Sequence, residues 1–160
     1  AGHPETTVYV NRRVPYESRF TAATIRELAT KSSDGLQPTD LVLALEGHIH
    51  AKVYPLKQLA GEPIINDRFE EVPILVVLSK DLSTAKIYDR RIDGRTLTFE
   101  RSWFGEKLLD AETGSEWDIL TGSAIDGSLL GQTLRPIPAT YVLWYAWKAY
   151  RPDTAIHGES

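Results

Sequence analysis

The chain has 160 residues, 42% of them hydrophobic and 25% charged, proportions that suit one soluble globular domain with a sizeable core. A formal net charge of -4, with Lys and Arg scattered rather than gathered in a stripe, gives no attraction to a phosphate backbone and sets nucleic acid aside as a partner. The absence of cysteine excludes disulfides, thiolate metal sites and covalent haem attachment, and no apolar run reaches the roughly 20 residues that a bilayer-spanning helix needs.

Residues 1–39 read as an N-terminal arm and helix, and 40–160 as a β-rich region, together one compact domain. The small residues of Ala1-Gly-His-Pro suit a mature end left by signal peptidase. A short alternating run over 7–10 suggests an arm or extra strand. Thr21 or Thr24 is placed to cap a helix through about residue 30, because Ile25, Leu28 and Ala29 recur at helical spacing. Glu27 stands three residues after Thr24, as in a capping box, and Ser32-Ser-Asp-Gly35 ends the helix.

From residue 40 the pattern changes to strands, predicted over 41–45, 48–54, 63–65, 73–78, 85–88, 96–100, 107–110 and 116–120. Turns fall at Glu46-Gly47, Thr113-Gly114 and 128–131. Asp93-Gly94, flanked by Lys86-Ile-Tyr88 and Thr96-Leu-Thr-Phe99, is the structural turn of a hairpin, since Asp-Gly supplies the positive φ angles of a primed turn. An edge strand over 134–137 carries Pro136 near its end, and Thr140 then caps a last helix over 141–150 that Pro152 stops. Short strands joined by tight turns make the expected fold α+β and mainly β. It is an antiparallel sheet or partly open barrel with an N-terminal helix and a short C-terminal helix.

Candidate chemistry is sparse. His48-x-His50 at strand spacing puts two imidazoles on one face, as a zinc or copper ligand pair would be, but two ligands do not complete a site, and the expectation is no metal and no cofactor. Asp110, Glu112, Glu116 and Asp118 straddle a predicted hairpin, where facing pairs would serve as acid and base or bind calcium; charged residues around a solvated turn are the commoner explanation. Asp89, Arg90 and Arg91 form either an anion patch or an ion pair across the hairpin. No Gly-x-Ser-x-Gly elbow and no phosphate-binding glycine loop occurs, so no catalytic residue is assigned.

The last helix, Tyr141-Val-Leu-Trp-Tyr-Ala-Trp-Lys-Ala-Tyr150, carries one charge, and its large side chains surround the axis rather than forming one stripe. Trp144, Tyr145, Trp147 and Tyr150 are therefore candidates for an interface, with burial under the chain's own N-terminal arm as the alternative.

Tyr88-Asp-Arg-Arg-Ile-Asp-Gly-Arg-Thr-Leu-Thr-Phe99, Glu112-Thr-Gly-Ser-Glu-Trp117, Leu120-Thr-Gly-Ser-Ala-Ile125 and Trp147-Lys-Ala-Tyr-Arg-Pro-Asp153 resemble a bacterial family known as domain of unknown function 3179. The resemblance covers residues 40–154. Family members carry Cys-Pro-Leu-Cys-Gly before the hairpin, a spacing suited to metal or redox chemistry; here the stretch is Val76-Val-Leu-Ser-Lys-Asp-Leu-Ser-Thr-Ala85. The family's Trp-His-Glu-Ile-Val-Asn-Asp becomes Ala60-Gly-Glu-Pro-Ile-Ile-Asn-Asp67, and its Gly-Leu-Leu-Tyr-Asn-Ser loop shortens to Glu100-Arg-Ser-Trp-Phe-Gly105. In the matching helix, positions that are polar in the family are Leu143, Tyr145, Ala146 and Tyr150 here.

The resemblance thus implies a divergent member that keeps the scaffold and has lost the family's polar site. It also implies a secreted or periplasmic location. Two functions follow as expectations. One is a non-catalytic structural or accessory subunit of an exported protein assembly, docking through the aromatic C-terminal helix onto a protein partner. The other is a metal-binding or redox-associated protein using His48 and His50.

Overall fold

The computed structural model describes residues 20–30, 35–102 and 107–159. In chain order the elements are α1 (Ala22–Ala29), β1 (Leu41–Glu46), β2 (Ala51–Pro55), α2 (Leu56–Gly61), β3 (Ile64–Phe69), β4 (Val72–Leu78), β5 (Ala85–Asp89), β6 (Arg91–Ile92) and β7 (Arg95–Thr96). Then come β8 (Phe99–Arg101), β9 (Lys107–Asp110), β10 (Glu116–Asp118), β11 (Ala124–Asp126), β12 (Pro136–Ile137), β13 (Thr140–Leu143), α3 (Trp144–Tyr150) and β14 (Ala155–Ile156). The expected run at 7–10, most of the Ser32-Ser-Asp-Gly35 stop and part of the shortened 100–105 loop lie outside the described residues. The fold is mainly β, with several antiparallel sheets, an N-terminal helix, a short C-terminal helix and no closed barrel among the described residues.

Contacts divide the chain into two compact units: residues up to Gly61 together with those from Pro138 onward, and Glu62–Ile137 between them. The first unit is a sheet in the order β13-β1-β2-β14, antiparallel except where β14 runs parallel to β2. Its centre is β1, five of whose residues, Leu41 to Leu45, are buried, so the strand is covered on both faces. Val42, Ala44, Val53, Val142, Trp144 and Trp147 form one core. The helices α1 and α2 also pack on β1, and Ile25, Ala29, Leu56 and Leu59 are buried. Thr21 caps α1, its hydroxyl oxygen accepting from the Thr24 N–H at 3.1 Å, so the cap lies one turn before the expected Thr24–Glu27 box.

Two expectations for this unit change. The last helix begins at Trp144 and not at Tyr141, because Thr140–Leu143 pair with β1 from Leu41↔Leu143 to Ala44↔Thr140; Thr140 is a strand residue, and Leu143 at the N-cap offers no side-chain acceptor. Ladder hydrogen bonds to a neighbouring strand outweigh local helix propensity here. The second strand begins at Ala51, paired with Glu46, and residues 47–50 form the connecting loop, closed by the Gly47 N–H donating to His50 O at 2.8 Å. His48 and His50 are therefore exposed loop residues and not neighbours on one strand face.

The middle unit holds two four-stranded antiparallel sheets, β12-β5-β4-β3 and β11-β10-β9-β8, and the two-stranded ribbon β6-β7. Its core includes Leu75, Val77, Tyr88, Phe99, Leu108 and Trp117; Trp117 is fully buried and meets Phe99 edge-on at 5.7 Å. Asp93 and Gly94 have φ of 52° and 79°, the primed turn expected, but it joins Arg91-Ile92 to Arg95-Thr96. The expected flanking strand 85–88 pairs instead with β4 and β12, and the run 96–100 breaks at Leu97 and Thr98 before β8 begins. The β3–β4 hairpin turns on Glu70 and Glu71, both left-handed at φ 48° and 71°.

Candidate functional site

In the middle unit the polar residues singled out in the sequence are committed to architecture. Asp110, wholly buried, accepts from the Trp117 indole N–H at 2.8 Å, from the Thr113 hydroxyl at 2.8 Å and from the Thr113 backbone N–H at 2.5 Å. Glu112 accepts from the Thr98 N–H at 2.8 Å and Asp118 from the Leu120 N–H at 3.0 Å, while Glu116 lies 4.0 Å from Lys107. Each carboxylate thus has a different partner: Asp110 and Asp118 close turns, while Glu112 and Glu116 reach other segments of the chain.

The Asp89-Arg90-Arg91 cluster is used in the same way. Arg90 donates to the carbonyls of Ile74, Leu97 and Asp67 at 2.7–2.8 Å, tying together three segments of backbone. Burial, and then the nearby Arg68 charge, lower its pKa. Asp89 is buried and takes two hydrogen bonds from the Arg91 guanidinium, at 2.9 and 2.6 Å, with Arg135 at 3.6 Å. Burial raises the Asp89 pKa, but the Arg91 hydrogen bonds and the Arg91 and Arg135 charges outweigh it and hold the carboxyl below its usual range.

Where the family motif would carry thiols, Ser79, Asp81, Ser83 and Thr84 close the β4–β5 connection on themselves. Ser79 Oγ donates to Asp81 at 2.7 Å and accepts from the Thr84 N–H at 3.1 Å, and Ser83 Oγ donates to Asp81 at 2.6 Å. Among the described residues no group of three or more His, Asp or Glu side chains is arranged to hold a metal ion.

In the first unit the four aromatic residues of the last helix do not behave alike. Trp147 is fully buried, its indole N–H donating to Thr154 Oγ1 at 2.8 Å, and Tyr150 packs edge-on against it at 5.2 Å. The Tyr150 hydroxyl donates to Glu46 at 3.0 Å, beside the Arg151–Glu46 ion pair at 2.7 Å. Trp144 is 8% exposed, whereas Tyr145 is 47% exposed. Tyr145, Lys148 and Ala149 follow at helical spacing along one outer face, and with Trp144 and with Pro152 just past the helix they line an open groove of about 460 Å³ that Leu36 and Pro38 also line.

The segment that carries Leu36 and Pro38 is itself held in place. The buried Asp40 carboxylate accepts from the Gln37 N–H at 2.7 Å and pairs with Lys57 at 2.8 Å, and Lys57 also donates to Gly35 O. The first two N–H groups of the helix bind the same segment, Trp144 to Asp40 O at 2.8 Å and Tyr145 to Pro38 O at 2.9 Å. Of this groove, sequence reasoning reached only the aromatic side chains. Asp40 and Lys57 stand 17 positions apart with no periodic relation, so no sequence pattern flags the clamp.

The family described as Protein of unknown function (DUF3179) matches residues 19–159. The chain belongs to this family. No curated protein and no solved structure matches it. Three of the four stretches by which the chain resembles DUF3179 build the middle unit, and the fourth, Trp147–Asp153, belongs to the first. The Tyr88 hydroxyl donates to Ile119 O at 2.8 Å, and a Cβ on Gly122, at φ +72°, would come within 2.6 Å of the Tyr88 ring. Burial, and next the Asp118 charge, push the Tyr88 pKa up to about 12. Glu112-Thr-Gly-Ser-Glu-Trp117 contains Thr113 and Trp117, two of the donors that satisfy Asp110.

Proposed function

We propose that this DUF3179 member is a non-catalytic structural or accessory subunit of an exported protein assembly, secreted or periplasmic, that docks on a protein partner through the outer face of its C-terminal helix. The observation that carries the reading is the groove beside α3, where Tyr145 stands 47% exposed next to Lys148 and Ala149 while Trp144 and Trp147 anchor the helix from within. An aromatic ring held at the rim of a preorganised apolar groove is the kind of residue in which binding energy concentrates. The use of Asp89, Arg90, Asp110 and Glu112 in architecture, and the absence of cysteine, support a scaffold over an active centre.

A photo-crosslinking amino acid placed at position 145, in the full chain produced in its native cells, tests the reading. One discrete crosslinked protein recovered from the exported fraction supports it. The absence of any adduct, or recovery in the cytosol alone, counts against it. The rival metal reading rests on two imidazoles in an exposed loop; stoichiometric zinc or copper surviving dialysis, and lost in His48→Ala, would favour it.

A further inference from the structure

The groove has a chemical polarity beyond its being apolar. Its lining is Leu36, Pro38, Trp144, Tyr145, Ala149 and Pro152 apart from one charged side chain, Lys148, which is exposed. Among the described residues Lys148 has no ion pair and no side-chain hydrogen bond, whereas nearby Arg151 is taken by Glu46 and Asp153, and Lys57 by Asp40. The groove therefore presents apolar area with a single unneutralised cation at its rim, in a chain whose net charge is -4. Its walls are fixed before any ligand arrives, by the Asp40–Lys57 pair on one side and the buried Trp147 on the other.

We infer that the groove takes an apolar peptide segment of the partner that carries one carboxylate, from Asp, Glu or a chain terminus, set against the Lys148 ammonium. This inference rests on the docking reading above and adds the chemistry of the occupant. The apolar lining supplies contact area, and the lone cation fixes direction and discriminates against basic segments, which is how rim charges act in recognition. A basic or neutral apolar segment would leave Lys148 without a counter-charge.

The test is fluorescence anisotropy of the full chain with three labelled six-residue peptide pools, each degenerate over Leu, Ile, Val, Phe and Pro at five positions and carrying Glu, Gln or Lys at the sixth. The Glu pool should bind about two- to five-fold tighter than the Gln pool, the range of an exposed ion pair, with the Lys pool weakest. In Lys148→Glu the order should invert, with the Lys pool strongest, and Tyr145→Ala should weaken all three. Both side chains are exposed, and an unchanged thermal transition confirms that the variants fold. Equal binding of the three pools, an unchanged order in Lys148→Glu, or no binding at all overturns the inference. If pool order is insensitive to Lys148 while the crosslink at position 145 still captures a partner, the docking reading stands and only the carboxylate assignment falls.

Discussion

The side-chain amide of Asn66 makes both backbone hydrogen bonds of Phe99: its Nδ2 donates to Phe99 O, and its Oδ1 accepts from the Phe99 N–H, each at 2.9 Å. A single residue of β3 thereby joins its sheet to the first residue of β8. Asn66→Ala leaves a part-buried donor and acceptor without partners and should lower unfolding free energy by about 1–3 kcal/mol. Asn66→Asp should cost as much or more, because a carboxylate then faces the Phe99 carbonyl. Urea titration of the two variants checks this.

Tyr88 predicts an alkaline limit. Its pKa is about 12 in the folded chain against 10.0 unperturbed, so between those values the folded state holds a proton that the unfolded state has released, and stability falls as pH rises from 10. The stabilisation is complete below pH 10, and its loss is on the order of 2 kcal/mol. Tyr88→Phe should be less stable at pH 7, having lost the bond to Ile119 O, but should lack this part of the alkaline decline. Denaturation midpoints at pH 8 and pH 11.5 separate the two effects.

Asp89 has the opposite sign. Its folded pKa is depressed, so its contribution is present above the unfolded carboxylate value of about 3.9 and disappears as pH falls through the folded one. Asp89→Asn should cost about 1–3 kcal/mol at pH 7, with the gap to wild type closing below pH 4. A gap that does not shrink as pH falls below 4 would show that the Arg91 pairing is not its source.

The two hairpin turns make a matched pair. Glu70 and Glu71 adopt left-handed φ angles with side chains that disfavour them, so replacing them with Asn-Gly should stabilise the protein by about 0.5–2 kcal/mol. Gly94→Val, at φ +79° with open space around the Cβ, should instead cost about 1–3 kcal/mol through backbone strain alone. Gly122→Ala should cost more than Gly94→Ala, since its methyl group also meets the Tyr88 ring. Differential calorimetry of the four variants ranks them.

The fold was legible wherever local chemistry is sufficient. Asp93-Gly94 announces its turn, 107–110 is found as predicted, and Thr21 caps its helix. It was illegible where a distant partner decides. Tyr141-Val-Leu suits a helix or a strand, and only β1 lying alongside makes it a strand. Glu-Glu at 70–71 is no turn signature, and nothing local to residues 48–50 says that the strand starts at Ala51. The aromatic helix could be read as too apolar for one face, but which ring stays outside depends on Thr154, Glu46 and Pro38, contacts made across the unit.

The most direct test of the docking account is affinity purification of the full chain from its native cells, comparing wild type with Tyr145→Glu. The substituted ring is exposed, so folding stability should move by no more than about 0.5 kcal/mol. The account predicts a stoichiometric protein partner that co-purifies with wild type and is lost with Tyr145→Glu. A partner retained equally by both, or a wild-type chain that purifies alone as a monomer, would contradict it.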